Sequence, residues 1–262
     1  MDSVDLKIRR AEKHYSELSS LFQRRKPFSY FLETNCKTGE RATFSKRDDD
    51  VAGNAAIIIG DIIHNLRAAL DHAYWQCTEK FAKSDGERRK IQFPIISTEK
   101  SFRESELPGL PSRVSMSFVK ALESLKPYRE NGNKLLCAIH DLDILDKHKL
   151  LIPTGNFTKI TSAMIQRQVP DFPAGIMDSS FGNCYRDVVW WVRPMSWTQR
   201  RKAKTPLSNI IEKELDVPVE IVLSDIDSFR PALEVLQELI DLTKEATKIL
   251  YEGAEADVPI AL

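Results

Sequence analysis

Residues 57–75 read IIIGDIIHNLRAALDHAYW, and the side chains gathered there could do chemistry. On a wheel at about 100° per residue, Asp61, His64, Asn65, Arg67, Asp71 and His72 share one arc with Ala68 and Trp75. That arc holds no Lys, Glu or Gln, the residues from which a solvated helix face is usually built. Imidazole, carboxylate and guanidinium groups serve proton transfer, anion binding or metal ligation. A buried polar network tying helices together would produce the same pattern. The opposite arc, Ile59, Ile62, Ile63, Leu66, Ala69, Leu70, Ala73 and Tyr74, is apolar and predicts the core face.

A second segment, residues 134–151, carries His140, Asp143, Asp146, Lys147 and His148. Leu135, Ala138, Ile139, Leu142, Leu145 and Leu150 form its main apolar arc, while Leu136, Cys137, Ile144 and Leu151 lie opposite. A helix apolar on both sides is expected to be buried nearly all round, so its polar groups should be shielded. Asp146 falls inside the apolar arc, where a carboxylate needs a partner or takes up a proton. Arg67 is the expected partner, in a bidentate pair that would cross-link the two helices.

The surrounding elements follow from periodicity and punctuation. Residues 3–26 predict a helix with Val4, Ile8, Ala11, Tyr15, Leu18 and Phe22 on one stripe, stopped by Pro27. Phe28 to Cys36 and Arg41 to Lys46 read as a β-hairpin around Lys37-Thr38-Gly39-Glu40. Asp48-Asp49-Asp50 starts the long helix, expected to run to about Lys83. Residues 84–113 read as loop, with Phe93-Pro94-Ile95 and a Pro108-Gly109-Leu110-Pro111 turn. Ser115 to Leu125 predicts a short helix, and Asn131-Gly132-Asn133 opens the next. Ile160 to Val169, Val188 to Arg193 and Val219 to Leu223 read as strands. Ser228 is the expected cap of the last helix, with Pro231 in its first turn. The fold class expected is mainly α. It would be a bundle of four to five helices with an N-terminal β-hairpin and a β-rich insertion before the last helix. The expected division is 1–156 for the helical core and candidate site, 157–224 for the insertion, and 225–262 for the closing helix and tail.

The 262 residues suffice for a substantial core. With 38 basic and 38 acidic residues, no global positive field draws the chain onto a polyanion. Nucleic-acid contact would have to come from a local patch. Cys36, Cys77, Cys137 and Cys184 are too widely spaced for a zinc ribbon and are expected as reduced, mostly buried thiols. The amphipathic N-terminus and the short apolar run from Ala55 to Ile59 predict neither signal peptide nor membrane span, so a cytoplasmic location is expected. No cofactor is implied.

Arg67 to His72 spells Arg-x-x-x-x-His on a helix, which resembles the motif of the HEPN superfamily of helical-bundle nucleases. The resemblance implies a metal-independent ribonuclease, set in toxin or defence systems, with paired motifs across a homodimer cleft. In that reading Arg67 stabilises charge on the phosphate and His72 moves the proton, with Asp71 and His64 as helpers. Asp61, Asn65, His140, Asp143, Asp146, Lys147 and His148 would support them. A second resemblance covers about residues 50–152. Gly60-Asp61-x-x-His64-Asn65-Leu66-Arg67-x-Ala69-Leu70-Asp71-His72, then Phe93-Pro94-Ile95, then Asp146-Lys147-His148, is similar to an uncharacterised bacterial and phage-associated family, which brings no activity with it.

Two other readings stay open. Asp61-x-x-His64 and His140-x-x-Asp143 each set a carboxylate and an imidazole one turn apart, as a metal-dependent hydrolase would require. A non-catalytic module could instead bind a nucleotide, RNA or a protein partner. Trp190, Trp191 and Trp197 with Arg200-Arg201-Lys202-Ala203-Lys204 would supply stacking and phosphate contacts. Alternatively, Trp190 turns into a sheet core and the basic run is a solvated loop.

Overall fold

The computed structural model describes residues 2–150, 153–156, 161–174, 180–181, 186–202, 210–217, 219–223 and 230–256. Leu151, Ile160, Cys184, Lys204 and Ser228 lie outside them, as does the tail 257–262. In chain order the main elements are α1 (Ser3–Arg24), β1 (Phe28–Asn35), β2 (Glu40–Arg47), α2 (Asp49–Thr78), α3 (Met116–Leu125), α4 (Lys134–His148) and β3 (Thr154–Asn156). They continue with α5 (Ser162–Gln166), β4 (Ser180–Phe181), β5 (Arg186–Trp191), α6 (Trp197–Lys202), β6 (Ile210–Leu215), β7 (Glu220–Val222) and α7 (Ala232–Glu255). The protein is mostly helical, with the antiparallel hairpin near its N-terminus. Among the described residues, no helix is long and apolar enough to cross a membrane.

The chain divides into two compact units: residues 1–19, 56–151 and 233–262 form the first, and 20–55 with 152–232 the second. The first unit is helical. Every residue of the α2 core face is buried, as its spacing requires. Ser115 caps α3 by accepting from the Phe118 N–H at 2.9 Å, and Asn133 caps α4 by accepting from Leu136 N–H at 3.0 Å. Lys126, with φ 49°, ends α3 in a left-handed turn before Pro127. Close helix approaches use glycine. A Cβ on Gly253 would stand 2.5 Å from Ala121 Cβ, so α7 can lie against α3 only without that carbon.

The second unit is built on a four-stranded antiparallel sheet in the order β5-β2-β1-β6. The hairpin therefore hydrogen-bonds to strands of the later β-rich segment rather than standing with residues 1–156. One face carries a core of Tyr30, Leu32, Val188, Trp190 and Leu215. Onto it pack Ile165, Val169 and Phe172 from α5 and its following turn. A separate three-stranded sheet has the order β4-β3-β7.

Several local expectations are corrected. In place of the strand expected from Ile160 to Val169, the described residues from Thr161 onward form a short helix, which Thr161 caps by accepting from Met164 N–H at 3.3 Å. Ile165 and Val169, four apart, then meet the sheet from one side. The expected 84–113 loop contains short helical turns at Asp85–Arg88, Glu99–Ser101, Phe102–Glu106 and Leu110–Val114. α2 stops at Thr78 and is followed by a 3₁₀ turn at Glu79–Phe81. Pro231 sits just before α7 rather than inside its first turn. Part of the basic run is helical, in α6. Ile210–Leu215 was not foreseen as a strand, because its Glu-Lys-Glu centre hides the alternation.

Candidate functional site

The first unit brings α2 and α4 together, but not through the expected pair. Arg67 Nη2 lies 2.8 Å from Asp71 Oδ1, one turn along the same helix, and donates at 2.9 Å to the Phe93 carbonyl. Asp71 Oδ1 accepts from the Phe93 N–H at 2.8 Å. The two side chains thus clasp both backbone polar groups of Phe93 and fix the Phe93-Pro94-Ile95 loop on α2. Arg67 is buried; desolvation lowers its pKa, opposed by the charges of Asp71 and Asp143. Burial raises the pKa of Asp71, offset by Arg67 and the Phe93 N–H. Asp71 therefore serves the loop, and among the described residues no hydrogen bond joins it to an imidazole.

Asp146 meets α2 elsewhere. Its carboxylate lies where a Cβ on Gly60 would be, 2.5 Å from that position, so it packs directly on the helix backbone two turns before Arg67. The expected Arg67–Asp146 pair is replaced by Arg67–Asp71. Asp143, one turn earlier on α4, is the carboxylate nearer to Arg67 in effect, since its charge acts on both Arg67 and Asp71.

Asp143 is also the centre of the arrangement best suited to proton transfer. Its side chain is 6% exposed, yet Oδ1 lies 3.0 Å from His64 Nδ1 and Oδ2 accepts from Lys147 Nζ at 2.6 Å. An ionised carboxylate only accepts, so Nδ1 of His64 carries the hydrogen of this bond, and in the neutral ring Nε2 is the acceptor. The His64 side chain is 54% exposed, and Nε2 has no protein partner among the described residues. The ring is thus fixed at one nitrogen and open at the other. Lys147 and His148 are exposed, contrary to the shielding expected for them, and so is Ile144. The N-terminal half of α4 is buried on both sides, at Leu136, Cys137, Ile139 and Leu142, and its last turn is open to solvent. Lys147 and His148 stand in that turn, where the helix dipole favours a basic side chain such as Lys147.

The remaining candidates disperse. His72 Nδ1 lies 3.2 Å from Ser3 Oγ at the start of α1, so it is turned to a different helix from the Arg67 guanidinium. Asp61 approaches His14 of α1, with Oδ2 4.0 Å from Nε2, and its carbonyl accepts from the Asn65 amide at 2.7 Å. Asn65 is thereby a buried intrahelical bond. His140 is half-buried with its Nδ1 unpartnered, and burial together with the Arg67 charge lowers its pKa.

His64 of one Asp/His turn meets Asp143 of the other, but Asp61 turns to His14 instead, so only one residue of each turn is brought together. Among the described residues, no three His, Cys, Asp or Glu side chains stand where they could hold one metal ion. Comparison with known proteins finds no family model, curated protein or solved structure that matches this chain. The buried Asp143 carboxylate behind His64 was visible in the sequence only as one acid among several. The signal available was its spacing: four residues before Lys147 and three after His140.

Proposed function

We propose that this protein cleaves phosphodiesters without a metal, that RNA is the substrate class, and that His64 rather than His72 carries the proton. The observation that supports this is the half-exposed imidazole fixed through Nδ1 by a buried carboxylate, with a lysine on the same carboxylate. A base so oriented acts through its free nitrogen. His64 Nε2 takes the proton from a ribose 2′-OH and the O2′–P bond forms. The P–O5′ bond breaks, and the departing 5′-oxygen takes a proton from solvent, leaving a 2′,3′-cyclic phosphate.

Lys147, with exposed His148 and Lys149 beside it, places positive charge where the phosphate would stand. Arg67 supports the site indirectly, by holding the Phe93 loop and lending its charge to Asp143. Because His64, Asp143 and Lys147 belong to one chain, this chemistry does not depend on the homodimer cleft that the HEPN resemblance implies.

The test is incubation of total RNA in EDTA with the wild type, His64→Ala and Asp143→Asn, each verified as folded. Cleavage by the wild type and loss in both variants supports the reading. An inert wild type, or His64→Ala as active as wild type, ends it.

A further inference from the structure

The second unit contains a cavity of about 190 Å³ that has nothing to do with His64. It opens at the turn end of the β1–β2 hairpin. Leu32, Thr34, Cys36, Gly39 and Arg41 of the hairpin line it together with residues 192–195, and Lys213 comes from β6, opposite Leu32. Its walls are built rigidly. Asn35 Oδ1 accepts from the N–H groups of Lys37 and Thr38 at 3.0 and 3.1 Å, closing the turn. Gly39 adopts φ +77°, and a Cβ there would collide with the Val192 carbonyl at 2.1 Å. The Val192 N–H donates to the Gly39 carbonyl at 2.7 Å, joining the two sides. From α6, Arg200 donates to the Cys36 carbonyl at 2.6 Å and to that of Met195 at 3.1 Å.

Among the described residues that line this cavity the charged side chains are Arg41, Arg193 and Lys213, with no Asp or Glu. Among the described residues, Lys213 Nζ donates to a neutral carbonyl, that of Gln168, at 3.2 Å. Arg41 pairs through Nη1 with Asp171, which is not part of the lining. Three cations thus face one carboxylate. Arg41, which lines the cavity, also keeps a buried Nε–H with no hydrogen-bond partner. Buried N–H donors left unpaired are costly, and an acceptor-only ligand group relieves them. Of the remaining lining, Leu32, Val192, Pro194, Met195 and the buried Cys36 are apolar, and Thr34, Asn35 and Gly39 complete it.

We infer that this cavity binds a small organic anion: one phosphate or carboxylate directed to Arg41 and Lys213, on a compact apolar body. The volume lies below the ~300–1,000 Å³ of sites for drug-sized ligands, which restricts the body to roughly one ring or a short chain. The site is independent of the proposed phosphodiester chemistry, since no residue is shared.

Calorimetric titration of the whole chain with phenyl phosphate, benzoate and phenol tests it. One equivalent of phenyl phosphate or benzoate is expected to bind in the millimolar range or tighter, with phenol silent; the tighter anion identifies the head group. Lys213→Met, a change at an exposed side chain, should weaken binding about tenfold, the loss of about one charge-assisted bond. Arg41→Gln should abolish it, while His64→Ala should leave it unchanged. No saturable binding of either anion overturns the proposal. So does binding that survives both Lys213→Met and Arg41→Gln, or binding that disappears in His64→Ala.

Discussion

Asp143, almost wholly buried on α4, holds Nδ1 of His64 on α2 at 3.0 Å while more than half of the His64 side chain remains open to solvent. A surface histidine with no such support would rotate freely. Here one nitrogen is committed and the other is presented. Removing the base by His64→Ala should lower RNA cleavage by about 10²–10⁴-fold, the usual contribution of positioned proton transfer. Asp143→Asn should give a loss of similar order, with circular dichroism unchanged, because the amide no longer enforces the Nδ1–H tautomer. Initial rates on a dinucleotide substrate measure both. If Asp143→Asn retains wild-type rates, the carboxylate does not orient the ring.

Arg67 and Asp71 make a different prediction, because their partners are backbone atoms of Phe93 rather than solvent or ligand. Arg67→Met leaves Asp71 half-buried without its cation and strips the Phe93 carbonyl of its donor. Breaking such a pair costs about 3–5 kcal/mol. Urea denaturation should show that loss, and activity should fall with the folded fraction rather than through the chemical step. An Arg67→Met protein as stable as the wild type, yet inactive, would return Arg67 to the catalytic role that its motif suggests.

Gly60 and Asp146 set the approach of α2 to α4. In an ordinary helix interior, Gly→Ala gains roughly 0.5–1 kcal/mol. At Gly60 the new methyl would stand 2.5 Å from the Asp146 carboxylate, so the sign should reverse. Gly60→Ala is expected to destabilise by about 1–3 kcal/mol, as overpacking does. A double-mutant cycle with Asp146→Ala should recover much of it as coupling energy. Additive effects would show that the two sites do not touch.

These relationships explain what the sequence could and could not disclose. The core face of α2 was legible because eight apolar residues repeat at helical spacing and all are buried. The hairpin was legible from β-branched and aromatic runs around a glycine turn. The partner of Arg67 was not, since Asp71 and Asp146 are both reachable in principle and only the path of the Phe93 loop decides between them. Nor was the exposure of Lys147 and His148, because apolar residues on both sides of a helix wheel do not say where that helix leaves its neighbours. Trp190 was correctly allowed as a core residue: it meets Phe172 edge-on at 5.1 Å, whereas Trp197 stays exposed under Arg201. The joining of hairpin and insertion into one sheet depends on pairing between strands more than 140 residues apart, such as β1 and β2 with β5 and β6, and local pattern does not encode that.

Away from His64, the pair Tyr74 and Glu106 makes stability depend on pH. Glu106 accepts from the Tyr74 hydroxyl at 3.4 Å, and burial raises its pKa above the ordinary 4.5, only partly offset by that hydrogen bond. The folded state therefore holds the proton more tightly than the unfolded chain. Its stabilising contribution is complete below pH 4.5 and is lost as pH climbs through the raised folded value. Glu106→Gln keeps an acceptor for Tyr74 and never ionises. It should match the wild type near pH 4 and exceed it in stability at pH 7, the gap opening between those limits and then staying flat. Urea midpoints across that range check the sign, and a variant less stable than wild type at pH 7 would show that the charged carboxylate is favoured where it lies.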